Sequence, residues 1–113
     1  MKIYFTTSPR GTCGQAVFVR DSNKAEPPSP LPHIVRHSPD GFQWGYGGSG
    51  PADLAFAIIF DYFKGNEKQT YQYYQDFKWD FIAGLSSDPW QITEHQIESW
   101  IRSKNQTTKG ELL

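Results

Sequence analysis

The sequence predicts an α+β fold, with a small N-terminal antiparallel sheet of two or three strands followed by three helices. Two observations lead to this prediction. β-branched and aromatic stretches are grouped near the N-terminus, and helical patterns dominate from residue 51 onward. Strands that come first and helices that come later are typical of α+β proteins, whereas a doubly wound fold would alternate them.

Two strands and a proline-rich loop make up the predicted N-terminal part. Residues 2–7 and 15–20 are rich in β-branched and aromatic side chains, and the short turn at 8–11 favours a hairpin between them. Residues 27–32 contain four prolines, which exclude a helix or a strand interior and predict an extended surface loop. Residues 33–36 are the candidate for a short third strand.

The central helix is predicted at about residues 51–64. Nearly every residue from Leu54 to Phe63 is apolar, and a helix that is apolar on all sides is buried. Gly65 is expected at the C′ position, because a left-handed glycine commonly ends a helix there. The rest of the chain is therefore expected to pack around this helix.

Two further helices are predicted. Large apolar residues recur at three- and four-residue steps over 67–85, which indicates an amphipathic helix. Thr93 and Gln96 form a capping box for a third helix at about 94–103. The polar residues 104–113 are predicted to be a disordered tail, so that residues 1–103 form a single globular domain.

Composition narrows the classes of protein to consider. The net charge of −1 gives no electrostatic footprint for duplex nucleic acid or an anionic membrane surface. No apolar run approaches the length of a membrane span, and the N-terminus is too strand-like for a signal peptide. The lone Cys13 excludes an intrachain disulfide, so we expect a cytoplasmic protein. With 16% aromatic residues, some are expected at the surface, where they favour a homodimer.

A glycine-rich loop before the central helix is the candidate binding site. Four of the six residues from 45 to 50 are glycines, which permit tight turns and close approach of the backbone to a ligand. Pro51 suits the first helical position, with Ser49 or Gly50 as the N-cap. Asp53 is expected to accept hydrogen bonds from the first N–H groups of the helix.

The loop has a functional and a structural interpretation. Loop amides and the positive end of the helix dipole favour an anion, and Trp44 and Tyr46 could offer flat faces to a base. Alternatively, the glycines only permit a tight turn and both aromatic side chains pack in the core. The spacing matches neither the dinucleotide fingerprint nor a Walker loop. Pro51 removes one donor, and Asp53 would repel an anion.

Three cationic residues are candidates for contact with an anion at the loop. Arg36 and His37 lie just upstream of it, and Lys78 lies on an otherwise aromatic face of the second helix. Alternatively, the Lys78 stem covers apolar surface and its head is solvated. If the second helix packs beside the first, Lys78 could face the loop instead. The candidate ligand-binding residues are Arg36, His37, Trp44, Tyr46, Gly47, Gly48, Ser49, Gly50 and Lys78.

No catalytic residue, metal site or cofactor is predicted. None of the three histidines has a metal-binding spacing to another ligand. Cys13 lies between turn residues, where a small side chain is the simpler interpretation, and residues 47–51 carry proline where a nucleophile elbow needs glycine. A weaker hypothesis is an enzyme that uses His37 with Asp40 or Asp53, which requires imidazole and carboxylate within hydrogen-bond distance.

The stretch from His37 to Ala55, with the core Trp-Gly-Tyr-Gly-Gly-Ser-Gly-Pro-Ala, resembles a family of short bacterial and phage proteins known only as a domain of unknown function. Residues 74–78 and 90–93 are similar as well, and the resemblance covers about residues 31–101. It implies a small stand-alone protein, often on mobile elements, and brings no activity, ligand or catalytic residue. By analogy with phage accessory proteins, it favours binding over catalysis.

Two functions are therefore considered. The first is a non-enzymatic binding protein that holds an anionic small molecule, such as a nucleotide or a nucleotide-derived signal, at the glycine loop. The second is an interaction module that docks on a host protein, such as a defence component, and inhibits it through exposed aromatic residues.

Overall fold

The computed structural model describes residues 1–7, 16–37, 41–86 and 88–111, with side chains up to residue 105. The predicted turn at 8–11, Cys13 and Asp40 lie outside these residues. The described part forms a four-stranded antiparallel sheet and three α-helices, so the α+β prediction is confirmed, with one strand more than expected. Within it, no helix combines the length and the apolar character needed to cross a bilayer.

The sheet has the strand order β3-β2-β1-β4, and every neighbouring pair is antiparallel. Strand β1 spans Lys2–Phe5 and strand β2 spans Phe18–Asp21. The two pair from Lys2 with Asp21 to Phe5 with Phe18, which confirms the predicted antiparallel pairing. Tyr4 is fully buried beneath the sheet and belongs to the hydrophobic core.

The third strand lies elsewhere than predicted. Strand β3 is Ser29–Pro30, within the proline loop, and it pairs with Phe18 and Val19. It is an edge strand, where a residue without an N–H group is tolerated. Residues 33–36 do not form a strand, because the Arg36 N–H donates to the Asp53 carboxylate instead.

The fourth strand was missed by the sequence patterns. Strand β4 spans Gln91–Thr93 and pairs with Ile3, Tyr4 and Phe5. This pairing brings the C-terminal part of the chain against its first residues, and the Thr6 N–H extends it by donating to the Trp90 carbonyl at 3.2 Å. Three residues are too few to show strand periodicity by themselves.

Helix α1 spans Ser49–Tyr62 and is the buried centre of the fold, as predicted. Each residue from 54 to 59 is at most 2% exposed. The helix begins earlier than expected, with Gly48 as an N-cap that provides no side-chain hydrogen bond. After the helix, the first residue with a positive φ is Lys64, at 55°, one residue before the glycine that was expected there. Gly65 also has a positive φ, of 83°, and its N–H donates to the Phe60 carbonyl.

The predicted second helix is divided into two parts. Helix α2 spans Glu67–Phe77, and the Asn66 side chain caps it by accepting from the Gln69 N–H. A π-helical turn follows at Lys78–Ile82, in which the Ala83 N–H donates to the Lys78 carbonyl at 2.8 Å. Helix α2 packs against α1, with the rings of Phe56 and Tyr74 5.2 Å apart. This packing brings the π-helical turn to the start of α1.

Helix α3 spans Glu94–Glu111 and directly follows β4. Its capping box is confirmed, because the Thr93 N–H donates to Gln96 Oε1 at 2.8 Å and the Gln96 N–H donates to Thr93 Oγ1 at 3.2 Å. The helix continues past residue 103 into the segment for which a tail is predicted. The disorder of residues 104–113 stays a prediction.

Candidate functional site

The π-helical turn lies directly against the glycine loop. The Gly45 N–H donates to the Ile82 carbonyl at 3.0 Å, and Lys78 Nζ donates to the Gly47 carbonyl at 3.3 Å. A Cβ atom on Gly47 would overlap the six-membered ring of Trp79. We call residues 45–50 and 78–82 together the loop–π junction. π-helical turns are rare and often occur at functional sites, which directs attention to this junction.

Lys78 is held at the junction and is almost buried. Only 8% of the residue is exposed, so its stem is covered by the surrounding side chains and loop. Nζ lies 4.5 Å from the centroid of the Trp79 ring and donates to Gly47. An ammonium group has three donor hydrogens, and within the described residues this bond uses one of them. The packing of α2 beside α1 therefore places Lys78 against the glycine loop.

The contact with Lys78 also sets the direction of the next amide. Within the described chain no peptide bond is cis, so the Gly47 carbonyl and the Gly48 N–H point to opposite sides of their shared peptide unit. Since the carbonyl faces the Lys78 ammonium, the Gly48 N–H faces away from it. One ligand atom cannot contact both groups, so a ligand that uses both needs two separated acceptor atoms.

Some loop amides at the start of α1 have no acceptor among the described residues. The first N–H groups of any α-helix have no partner within the helix. Within the described structure, no acceptor is seen for the N–H groups of Gly47, Gly48 or Ser49, whereas Gly50 is buried against Gln43. Part of the glycine content is nevertheless structural, since Gly45 has a φ of 88°. The loop thus combines a tight turn with N–H donors that have no partner in the described part of the chain.

The two aromatic residues of the loop lie in different environments. Trp44 is 0% exposed and packs edge-on against Trp90, with ring centroids 5.5 Å apart. The predicted stacking role of Trp44 is therefore replaced by a core position, as the structural interpretation proposed. Tyr46 is 48% exposed and its ring lies beside Gly48. It keeps a face that a ligand can reach.

Trp79 was missed by the sequence analysis. It is 61% exposed and lies over Gly47, so it presents the larger aromatic face at the junction. Its position depends on the π-helical turn, which no periodicity in the sequence predicted. The available signal was a tryptophan directly after Lys78 on the polar side of the predicted amphipathic helix.

The described contacts do not bring Arg36 and His37 to the glycine loop. The Arg36 guanidinium lies over the Phe56 ring, 5.2 Å from its centroid, and 3.8 Å from Glu67. His37 Nε2 lies 3.0 Å from the Tyr74 hydroxyl. Both side chains therefore contact α1 or α2 rather than residues 45–50. Of the three predicted cations, Lys78 is the one that these contacts place at the loop.

Asp53 anchors the segment before the loop. Its fully buried carboxylate accepts from the N–H groups of Arg36 at 3.2 Å and His37 at 2.9 Å, and lies 2.8 Å from His33 Nε2. The sequence analysis assigned this carboxylate to the first N–H groups of the helix, whereas the described contacts join it to the segment at residues 33–37. Because these donors compensate its charge, Asp53 opposes an anion at the loop less than expected.

The imidazole–carboxylate contact required by the enzyme hypothesis involves a different histidine. His33, rather than His37, lies within hydrogen-bond distance of Asp53. The same carboxylate holds two backbone N–H groups and is fully buried, which indicates a structural anchor.

Comparison with protein families identifies a match. A family model described as a family of unknown function matches residues 7–103, a range that includes both parts of the loop–π junction. A comparison with curated proteins gave no match, and neither did a comparison with solved structures.

Proposed function

Since the chain belongs to the family of unknown function DUF6166, whose description assigns no activity, we propose a function from the loop–π junction itself. The protein is a non-enzymatic binding protein that holds an anionic small molecule with a flat ring. A nucleotide or a nucleotide-derived signal has this chemistry.

The observation that carries the proposal is the nearly buried Lys78 ammonium beside free loop amides. A buried charge is costly unless its donors are satisfied, and the described hydrogen bond to Gly47 engages one of three. An anionic oxygen would accept from the others. The start of α1 adds N–H groups and a favourable dipole for a second anionic oxygen.

The geometry also favours a particular ligand shape. Because the Gly48 N–H points away from Lys78, the ligand needs acceptor oxygens on two sides of this peptide unit. A diphosphate or triphosphate has such oxygens, whereas a single phosphate is less able to reach both groups. Trp79 and Tyr46 offer exposed faces beside the loop for a base, and stacking on an aromatic side chain contributes about 1–3 kcal/mol per base.

Thermal unfolding with a panel of linear and cyclic nucleotides tests this proposal. A ligand at about 100 times its Kd adds about 2.7 kcal/mol to the free energy of unfolding. We expect di- and triphosphates to stabilise the protein more than monophosphates. Trp79→Ala and Lys78→Met should weaken the effect, whereas Tyr71→Ala, which removes an exposed ring on α2, should leave it unchanged. If no nucleotide of the panel stabilises the protein, the proposal is contradicted.

Docking on a protein partner is a second candidate function, supported by the exposed apolar side chains. In the described part of the chain, Val35, Tyr46, Tyr71 and Trp79 are between 48% and 61% exposed. Tryptophan and tyrosine are enriched among the residues that contribute most to protein interfaces. If the protein comes from a phage or mobile element, a host defence protein is the proposed partner. A second copy of the chain would use the same aromatic residues.

A pull-down from host lysate with matched variants separates the two functions. A stoichiometric partner that is lost with Trp79→Ala and Tyr46→Ala, but retained with Lys78→Ala and Gly48→Val, would favour protein docking. If Lys78→Ala and Gly48→Val also abolish binding of the partner, the result would favour a site at the loop amides. Sedimentation of the purified protein over a range of concentrations tests the homodimer.

A further inference from the structure

A cavity of about 350 Å³ lies near the other end of α1 from the loop–π junction. Its apolar wall is formed by Pro32 and Ile34, from the segment after β3, and by Ala57 and Phe60 of α1. Binding pockets for small molecules typically measure about 300–1,000 Å³ and combine apolar walls with a few polar groups. The cavity is therefore at the small end of this range.

Three charged residues complete the lining of the cavity: Lys2, Asp61 and Lys64. Asp61 Oδ2 accepts from Lys2 Nζ at 3.0 Å and from the Tyr4 hydroxyl at 2.7 Å. Burial is the main cause that raises the pKa of Tyr4 well above its ordinary value, and the hydrogen bond to Asp61 adds to it. The Tyr4 hydroxyl therefore remains a donor at neutral pH. Lys2 and Asp61 therefore compensate each other's charge.

Lys64 leaves the cavity with a net positive charge. In the described part of the chain, no carboxylate lies within ion-pair distance of its ammonium group. Its φ of 55° is in the left-handed region, which glycine and asparagine adopt more readily than lysine. A long cationic side chain thus occupies a turn position at which the backbone alone would favour a smaller residue.

We propose that this cavity binds a small organic acid with an apolar body. The carboxylate contacts Lys64 and the remaining hydrogens of the Lys2 ammonium, and a ring or branched chain lies against Ile34, Ala57 and Phe60. Charge complementarity selects the acid over a neutral analogue, since the exposed Lys64 that lines the cavity has no counterion among the described residues. The site is separate from the loop–π junction and does not depend on nucleotide binding there.

Titration of the full chain with phenylbutyrate, followed by amide chemical shifts in NMR, tests the site. Phenylbutyramide, which has the same shape without the charge, is the matched ligand control. We expect saturable shifts at Ala57, Phe60 and Gly65, and an affinity at least about tenfold lower for the amide.

Variants of an exposed residue complete the test without endangering the fold. Lys64→Met keeps the length of the stem and should weaken phenylbutyrate binding about tenfold, whereas Lys64→Arg should retain it. Lys68→Met, at an exposed lysine of α2, should bind as the unchanged protein does. The proposal is overturned if no saturable shift occurs, if acid and amide bind equally, if Lys64→Met has no effect, or if the shifts lie at residues 45–50.

Discussion

Replacement of Asp53 tests how the segment before the glycine loop is held against the central helix. In Asp53→Ala, the N–H groups of Arg36 and His37 lose their acceptor, and His33 Nε2 loses its partner. Asp53→Asn keeps one oxygen that can accept from the backbone but removes the negative charge. The two variants therefore separate the loss of an acceptor from the loss of a charge.

The magnitude follows from the number of donors that are left unpaired. A donor without its partner costs about 1–3 kcal/mol, so two amides cost about 2–6 kcal/mol in total. Arg36 and His37 are exposed residues, so water can partly replace the carboxylate and the lower half of that range applies. We expect Asp53→Ala to lose about 2–4 kcal/mol of the free energy of unfolding and Asp53→Asn about 1–2 kcal/mol. Typical stabilities are about 5–15 kcal/mol, so the first loss is a large fraction.

Urea unfolding measures this loss as a lower midpoint with an unchanged slope. Thermal unfolding should show a decrease of about 4 °C for each kcal/mol in a chain of this size. Asp88→Ala, at an exposed carboxylate in the described part of the chain, is the matched control and should be neutral. A loss below about 0.5 kcal/mol for Asp53→Ala would refute the role of this carboxylate as an anchor.

Three further changes have defined outcomes. Gly47→Ala should displace the Trp79 ring and lower the free energy of unfolding by about 1 kcal/mol, measured by thermal unfolding. In a Trp79→Ala background the same change should have little effect. Equal losses in the two backgrounds would contradict the contact between Gly47 and Trp79. The hydrogen bond from the Trp100 indole lowers the pKa of Asp80 below 3.8 in the folded protein. The ionised Asp80 therefore contributes its full stabilisation above pH 3.8, and this contribution is lost as the pH falls through the lower pKa of the folded state. In urea unfolding, the free energy of unfolding should therefore decrease less steeply with falling pH in Asp80→Asn than in the unchanged protein. Burial raises the pKa of Tyr4 above its ordinary value of 10.0. The free energy of unfolding should therefore fall above pH 10 by up to about 1.4 kcal/mol per pH unit, and this decrease should be absent in Tyr4→Phe.

Local patterns predicted the central helix, the start of the last helix and the pairing of the first two strands. The continuous apolar stretch of α1 predicted a buried helix, because no face of such a helix can be left in water. The capping box of Thr93 and Gln96 placed the start of α3, because both hydrogen bonds lie within four residues. The antiparallel pairing of β1 and β2 was expected from strand propensity, but β1 ends at Phe5 and β2 begins at Phe18, so the connection is longer than the predicted turn.

Pairing between distant residues required the folded chain. Strand β4 joins β1 only after the helices have returned the chain to the sheet, and three residues carry no periodicity that predicts this. Asp53 could have served its own helix, but the folded segment at residues 33–37 brings two N–H groups and an imidazole to it.

The candidate site shows the same division between local and distant information. Four glycines before an apolar helix are enough to predict a tight loop at a helix start, since glycine content and helix termini are local properties. The burial of Trp44 against Trp90, the exposure of Trp79 and the contact of Lys78 with Gly47 depend on packing between segments that are distant in the sequence. Such contacts carry no local signal in the sequence, because they form only when the π-helical turn packs against the loop.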